Sequence, residues 1–173
     1  MKLKLFYLFI GLIGLSTLCA CNDDDDNTVT TPNVPEAIAN AFKAKYPDVD
    51  SRNVKWEQKG NYMVAEFKKT ANMEEVDAWF SATGEWKMSE TDYGKNLFLL
   101  PTEINDALRD NGYLSWTMDD INYYEYPDAS KNFYLFEMTK AGEPETNAFF
   151  KADGTKIKTT IGDQADITPD TVI

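Results

Sequence analysis

The chain has 173 residues, with 29 acidic against 17 basic side chains, two cysteines, no histidine and a formal charge of −12. That length holds one sizeable core or two small coupled ones. An acidic chain without a basic stripe repels phosphate backbones, so no nucleic-acid partner is expected.

Residues 1–20 have the three parts of an export signal: a basic start at Lys2 and Lys4, an apolar stretch from Leu5 to Leu18, and small residues at the cut. The apolar stretch is shorter than the ~20 residues a spanning helix needs. Leu18-Cys19-Ala20-Cys21 looks like a bacterial lipobox, with Cys19 an unusual occupant of its middle position. Cys21 supplies the thiol that would carry the lipid, and Ala20 suits a narrow peptidase subsite. The plainer alternative is a signal cut nearby with Cys21 left free. A metal or redox pair is disfavoured, because no second cysteine pair and no histidine completes a site. Two or three acyl chains at ~0.8 kcal/mol per buried methylene would anchor the protein durably.

Asn22–Asp26 form an acidic run, which reads as a solvated spacer and also resembles the signal that sends some Gram-negative lipoproteins to the cell surface. The expected location is therefore the cell envelope of a Gram-negative bacterium, lipid-anchored in the outer membrane, with its outer face favoured over the periplasmic one. Residues 21–34 are polar and proline-containing, and read as a tether.

From Pro35 the chain repeats itself at a spacing close to 70 residues. PEAIANAFKAKYP (35–47) and PTEINDALRDNGY (101–113) share an opening proline and helical apolar spacing, NYMVAEF (61–67) matches NFYLFEM (132–138), and DAWFSATGEW (77–86) matches NAFFKADGTK (147–156). The first helix places Ile38, Phe42 and Tyr46 on one face. The second places Ile104, Ala107 and Leu108 there and stops at Asn111-Gly112. Alternation predicts strands over 53–59, 61–69, 74–82 and 85–91, then over 120–126, 132–140, 145–152 and 155–161. Thr83-Gly84 and Asp153-Gly154 are hairpin turns. The expected fold is α+β: two repeats, 35–91 and 101–161, each a helix plus a three- to four-stranded antiparallel sheet, with both helices on one face. A polar tail, 162–173, is expected to be loose.

The pattern P…F…YP……W……NYMVAEF……WF…TGEW resembles the PepSY-like domain of bacterial secreted proteins and lipoproteins, an arrangement similar to β-lactamase-inhibitor protein. The resemblance covers about 35–161 in two copies. The second copy is more diverged, with Tyr123 in place of Trp56 and Gly112-Tyr113 in place of Tyr46-Pro47. It implies a tandem helix-plus-sheet layout with a broad open face. Related PepSY domains occur in protease propeptides and are associated with inhibition. The shared positions are core and turn positions, so the resemblance carries no active-site residue with it.

No catalytic constellation emerges. Without histidine there are no Ser-His or Cys-His pairs, no serine lies in a Gly-x-Ser-x-Gly context, and no phosphate-binding glycine loop is present. Glu66 and Glu137 occupy equivalent positions in the two copies and read as charges on a sheet face rather than as a glycosidase pair. DVDSRN (48–53) has calcium-like oxygens but lacks the glycine and terminal glutamate of an EF-hand loop. No enzyme activity, cofactor or metal is expected.

Aromatic residues are the remaining signal. They could simply fill a core poor in leucine. If Met63, Ala65 and Phe67 face the helices with Tyr134, Phe136 and Met138, then alternation turns Tyr62, Val64, Phe133 and Leu135 the other way. The same logic turns out Trp79, Tyr124 and Phe149. The helix-free face would expose Tyr62, Trp79, Tyr124, Phe133 and Phe149, rimmed by Glu66 and Glu137, as a candidate binding surface. The expected function is a non-catalytic lipoprotein binding module, with inhibition of a secreted protein or enzyme as the mode the resemblance suggests. The alternative is a structural or assembly component whose open face packs on itself or on a neighbouring subunit.

Overall fold

The computed structural model describes residues 33–69 and 74–173. The export signal, Cys21 and nearly all of the tether lie outside the described residues. Helix α1 spans Glu36–Lys45 and is followed by β1 (Lys55–Lys59), β2 (Tyr62–Lys68), β3 (Glu75–Ser81) and β4 (Trp86–Gly94). Helix α2 spans Thr102–Asp110 and is followed by β5 (Thr117–Glu125), β6 (Phe133–Thr139), β7 (Thr146–Lys151) and β8 (Lys156–Ile161).

The helices start the same way. Pro35 precedes α1, and its carbonyl accepts from the Ile38 and Ala39 amides. Pro101 precedes α2 and accepts from Ile104 and Asn105. Glu36 and Glu103 lie in the first turns and Lys43, Lys45 and Arg109 in the last, complementing the helix dipoles. Gly112, at φ +76°, ends α2 in the left-handed conformation.

All eight strands pair antiparallel in one sheet, in sequence order. Most ends fall within a residue or two of those expected. The exceptions have local causes. Ser51–Asn53 turn as a short 3-10 segment, with Asp50 accepting from the Arg52 amide, so β1 begins only at Lys55. Register shifts between Asp92 and Gly94 and between Met118 and Asp120 let β4 run later and β5 start earlier than alternation indicates, because a bulge changes the phase of the side chains.

One face of the sheet carries both helices, over two separate clusters. Ile38 and Phe42 of α1 pack on Met63, Ala65, Phe67, Val76, Ala78 and Phe80. Ile104, Ala107 and Leu108 of α2 pack on Ile121, Tyr134, Phe136, Met138, Ala148 and Phe150, with Leu100 and Met118. Across the duplication, Lys45 at the end of α1 bonds Glu125 of β5 at 2.9 Å; within the first repeat, Tyr46 shares a 2.5 Å hydrogen bond with Ser89 of β4. Burial pushes the Tyr46 phenol up to about 12, with the Ser89 bond opposing the rise.

The tail departs from expectation. Residues 162–173 have no regular structure, yet they pack against the helix-free face: Ile167 is 3% exposed, and Ile173 joins the same cluster. Ile167, Val172 and Ile173 are the branched apolar residues of this otherwise polar stretch, and their spacing fits neither a helix nor a strand, which is why the segment reads as loose. Among the described residues no helix is long and apolar enough to cross a membrane.

Candidate binding face

The register assembles the helix-free face strand by strand. Val64 of β2 lies opposite Trp79 of β3, which lies opposite Met88 of β4. Tyr124 of β5 lies opposite Phe133 of β6, and Leu135 of β6 opposite Phe149 of β7. These side chains form a third cluster with Ile167, flanked by Tyr62, Tyr126 and Ile173. It draws on both repeats, whereas each helix-side cluster lies within one. Tyr124 and Phe133 stack at 4.8 Å between centroids, Phe133 and Phe149 tilt together at 5.9 Å, and Tyr62 meets Trp79 edge-on at 5.9 Å.

The five rings therefore share the face that alternation assigns them, but they are not an exposed patch. Trp79 is 6% exposed, Tyr124 3%, Phe133 1% and Phe149 0%, and only Tyr62 is half-buried. The expectation of wet rings is corrected for two physical reasons. Neighbouring strands bring the rings into mutual contact, and residues 162–173 cover them. The cover is fastened by named bonds: Tyr62 Oη donates to Asp170 at 2.8 Å, Asn147 Nδ2 donates to the Gly162 carbonyl at 2.6 Å, and the Gly162 amide donates to the Glu145 carbonyl at 3.0 Å. Sequence reasoning overlooked Met88, Ile167 and Asp170. Unbroken alternation puts Trp86 and Met88 on one face, but a register shift between the Trp79–Met88 and Phe80–Trp86 pairs leaves Trp86 on the α1 side and turns Met88 to this one, and the tail residues carry no periodic signal.

Charges border the rings. Glu66 pairs with Lys55 at 2.6 Å, and Lys59 reaches Asp77 at 3.3 Å. Burial pushes the Asp77 carboxyl above its usual range against the pull of Lys59. Glu66 is also raised by burial, but its bonds and the charges of Lys55 and Lys59 leave it net below the usual range. Tyr124 Oη donates to Glu90 at 3.0 Å, and burial first, then Glu90, Glu137 and Asp120, push that phenol well up. Glu137 lies between Asp120 and Asn147 in the register. Lys55 with Glu66, Lys59 with Asp77 and Tyr124 with Glu90 thus tie neighbouring strands together along this face. Among the described residues no group of three histidine, cysteine, aspartate or glutamate side chains is placed to hold a metal ion.

Two helices on one side of an eight-stranded meander, duplicated around a shared cluster on the other side, define a tandem helix-on-sheet fold. The family model described as "Putative beta-lactamase-inhibitor-like, PepSY-like" matches residues 23–74 and 61–158, and the chain belongs to that family. Among solved structures, a BLIP-like protein from Bacteroides fragilis is 28% identical with a TM-score of 0.66, over 80% of this chain and 94% of that one. A DUF2874 family protein from Bacteroides ovatus is 24% identical with a TM-score of 0.63, over 75% and 88%. A structure described as "putative periplasmic proteins" from Bacteroides eggerthii is 20% identical with a TM-score of 0.61, over 75% and 89%. No curated protein matches the chain.

Proposed function

We propose that the protein is a non-catalytic, protein-binding module of the bacterial cell envelope, inhibitory toward a secreted protein, held to the outer membrane by a lipid on Cys21. The observation that carries this reading is the helix-free face. It gathers aromatic side chains from both repeats, borders them with charge, and has the short irregular segment that follows β8 as its cover, where the opposite face has two helices. The inhibitor-like description of the family and of the Bacteroides fragilis relative supports it. Buried aromatic anchors within a charged border are the usual composition of a protein-recognition centre.

A photo-reactive side chain at Tyr62, on the rim of this face, tests the reading in intact envelopes, with the exposed helix position Ala39 as control. The expected result is a discrete adduct to another polypeptide from position 62 and none from 39. No adduct, or the same adducts from both positions, refutes it. Palmitate labelling that survives Cys21→Ser refutes the anchor.

The second reading, a structural or assembly component, draws on edge strand β8, where Ile157 and Ile161 are exposed. Mass that rises with protein concentration in the absence of any partner would select it.

A further inference from the structure

We propose that residues 162–173 occupy the docking face as a built-in stand-in for a segment of the partner protein, which binds by displacing them. The segment expected is an extended peptide that sets a branched apolar side chain among the rings and a carboxylate on Tyr62. The proposal rests on the protein-binding reading of this face.

Three observations converge on it. First, the cover has the chemistry of a bound peptide rather than of a fold element. It has no regular structure and inserts Ile167 among Val64, Trp79, Met88, Phe133 and Phe149. It sets Asp170 on Tyr62 three residues later, and it shapes its own turn through the Thr168 and Thr171 bonds.

Second, the seat is imperfect. Among the described residues, Trp79 Nε1, Tyr126 Oη and Asn147 Oδ1 are buried with no hydrogen-bond partner, and all three belong to this face. Buried polar groups are ordinarily paired, and each one left unpaired weakens the arrangement that buries it. A segment supplying an acceptor to the indole N–H or a donor to Asn147 Oδ1 replaces the cover with a better-satisfied interface.

Third, the outer fastening of the cover is a rim contact. The cover follows directly from β8, and its fastening beyond Ile167 lies at the rim, where Asp170 is exposed. Release needs no strand to leave the sheet.

The probe is a labelled synthetic peptide of residues 162–173, GDQADITPDTVI, titrated by fluorescence anisotropy against the whole protein and against its Ile167→Asp variant. The variant is expected to take up the peptide about tenfold more tightly or better than the unaltered protein, whose own tail competes. A peptide carrying Ile167→Asp is expected to lose about tenfold or more in affinity. In envelopes, Ile167→Asp is expected to raise the yield of the Tyr62 adduct.

A variant that keeps its near-ultraviolet circular dichroism yet ignores the peptide, or binds both peptides alike, overturns the proposal. If Ile167→Asp does not fold, Asp170→Ala, which removes only the rim bond, is expected to bind the peptide several-fold better than the unaltered protein; no gain overturns the proposal. A doubled mass with tails exchanged between copies also overturns it, since the occupant is then a second copy of the chain. A Tyr62 adduct that persists while peptide exchange fails leaves the binding reading standing and removes only the displaceable cover.

Discussion

Gly84 and Gly154 close equivalent hairpins seventy residues apart, at φ +85° and +84°. The Gly84 amide donates to Ser81 and the Gly154 amide to Lys151, each at 2.9 Å. A Cβ on Gly84 would stand 2.8 Å from the Ala37 carbonyl oxygen, and one on Gly154 would stand 2.8 Å from that of Glu103. Each turn therefore rests on the first turn of its own helix, and only a residue without a side chain permits the approach. Gly84→Ala combines backbone strain of ~1–2 kcal/mol with overpacking of ~1–3 kcal/mol. Gly60→Ala, at φ +60° with nothing within 4 Å of the added atom, carries the strain alone. Urea denaturation should rank the first well below the second, and equal midpoints would disprove the docking argument. The rings give the other prediction at this scale. Trp79→Ala and Phe149→Ala each remove a buried aromatic and should cost about 3–5 kcal/mol. A loss below about 1 kcal/mol would mean that the face is open in solution.

At the scale of elements, α1 and α2 stabilise different clusters, and neither cluster contains a residue of the other. Phe42→Ala and Leu108→Ala should each cost about 2–5 kcal/mol, and the double variant should match their sum within about 0.5 kcal/mol. A larger deviation in the urea series would show that the helices communicate through the sheet. The partition of side chains between faces was legible because period-two alternation is a local property: Met63, Ala65 and Phe67 reach α1, while Val64 and its neighbours turn away. The repeat was legible for the same reason, since proline starts and glycine turns recur at fixed positions. Exposure was not legible. Whether Phe149 is wet depends on a segment beyond the last strand that contributes a single buried isoleucine. Alternation says which way a side chain points and nothing about what lies over it. The bulges at Asp92–Gly94 and Met118–Asp120 were hidden likewise, because a phase shift erases the alternation that would mark the strand.

Over the described residues as a whole, the third cluster spans β2 to β7 and binds the two repeats into one body. Together with the Lys45–Glu125 pair it predicts a single unfolding transition. Its response to alkali follows from the tyrosines. Burial pushes Tyr46 and Tyr126 each up to about 12 and raises Tyr124, Tyr134, Tyr93 and Tyr123 as well. A phenol whose pKa is higher folded than unfolded keeps its proton in the native state while the unfolded chain loses it. The native state then binds more protons, and stability falls as pH rises. The stabilisation is fully present below about pH 10, the unfolded value, and drains away from there toward pH 12. For Tyr46 alone the rise to about 12 corresponds to about 2–3 kcal/mol. Urea midpoints should be flat from pH 7 to 9 and then drop steeply, with the absorbance of the buried phenolates appearing together with unfolding rather than before it. Tyr46→Phe should begin less stable, having lost the Ser89 bond, and lose less on going to high pH. An undiminished alkaline loss in that variant would show that Tyr46 titrates as freely in the fold as in the unfolded chain.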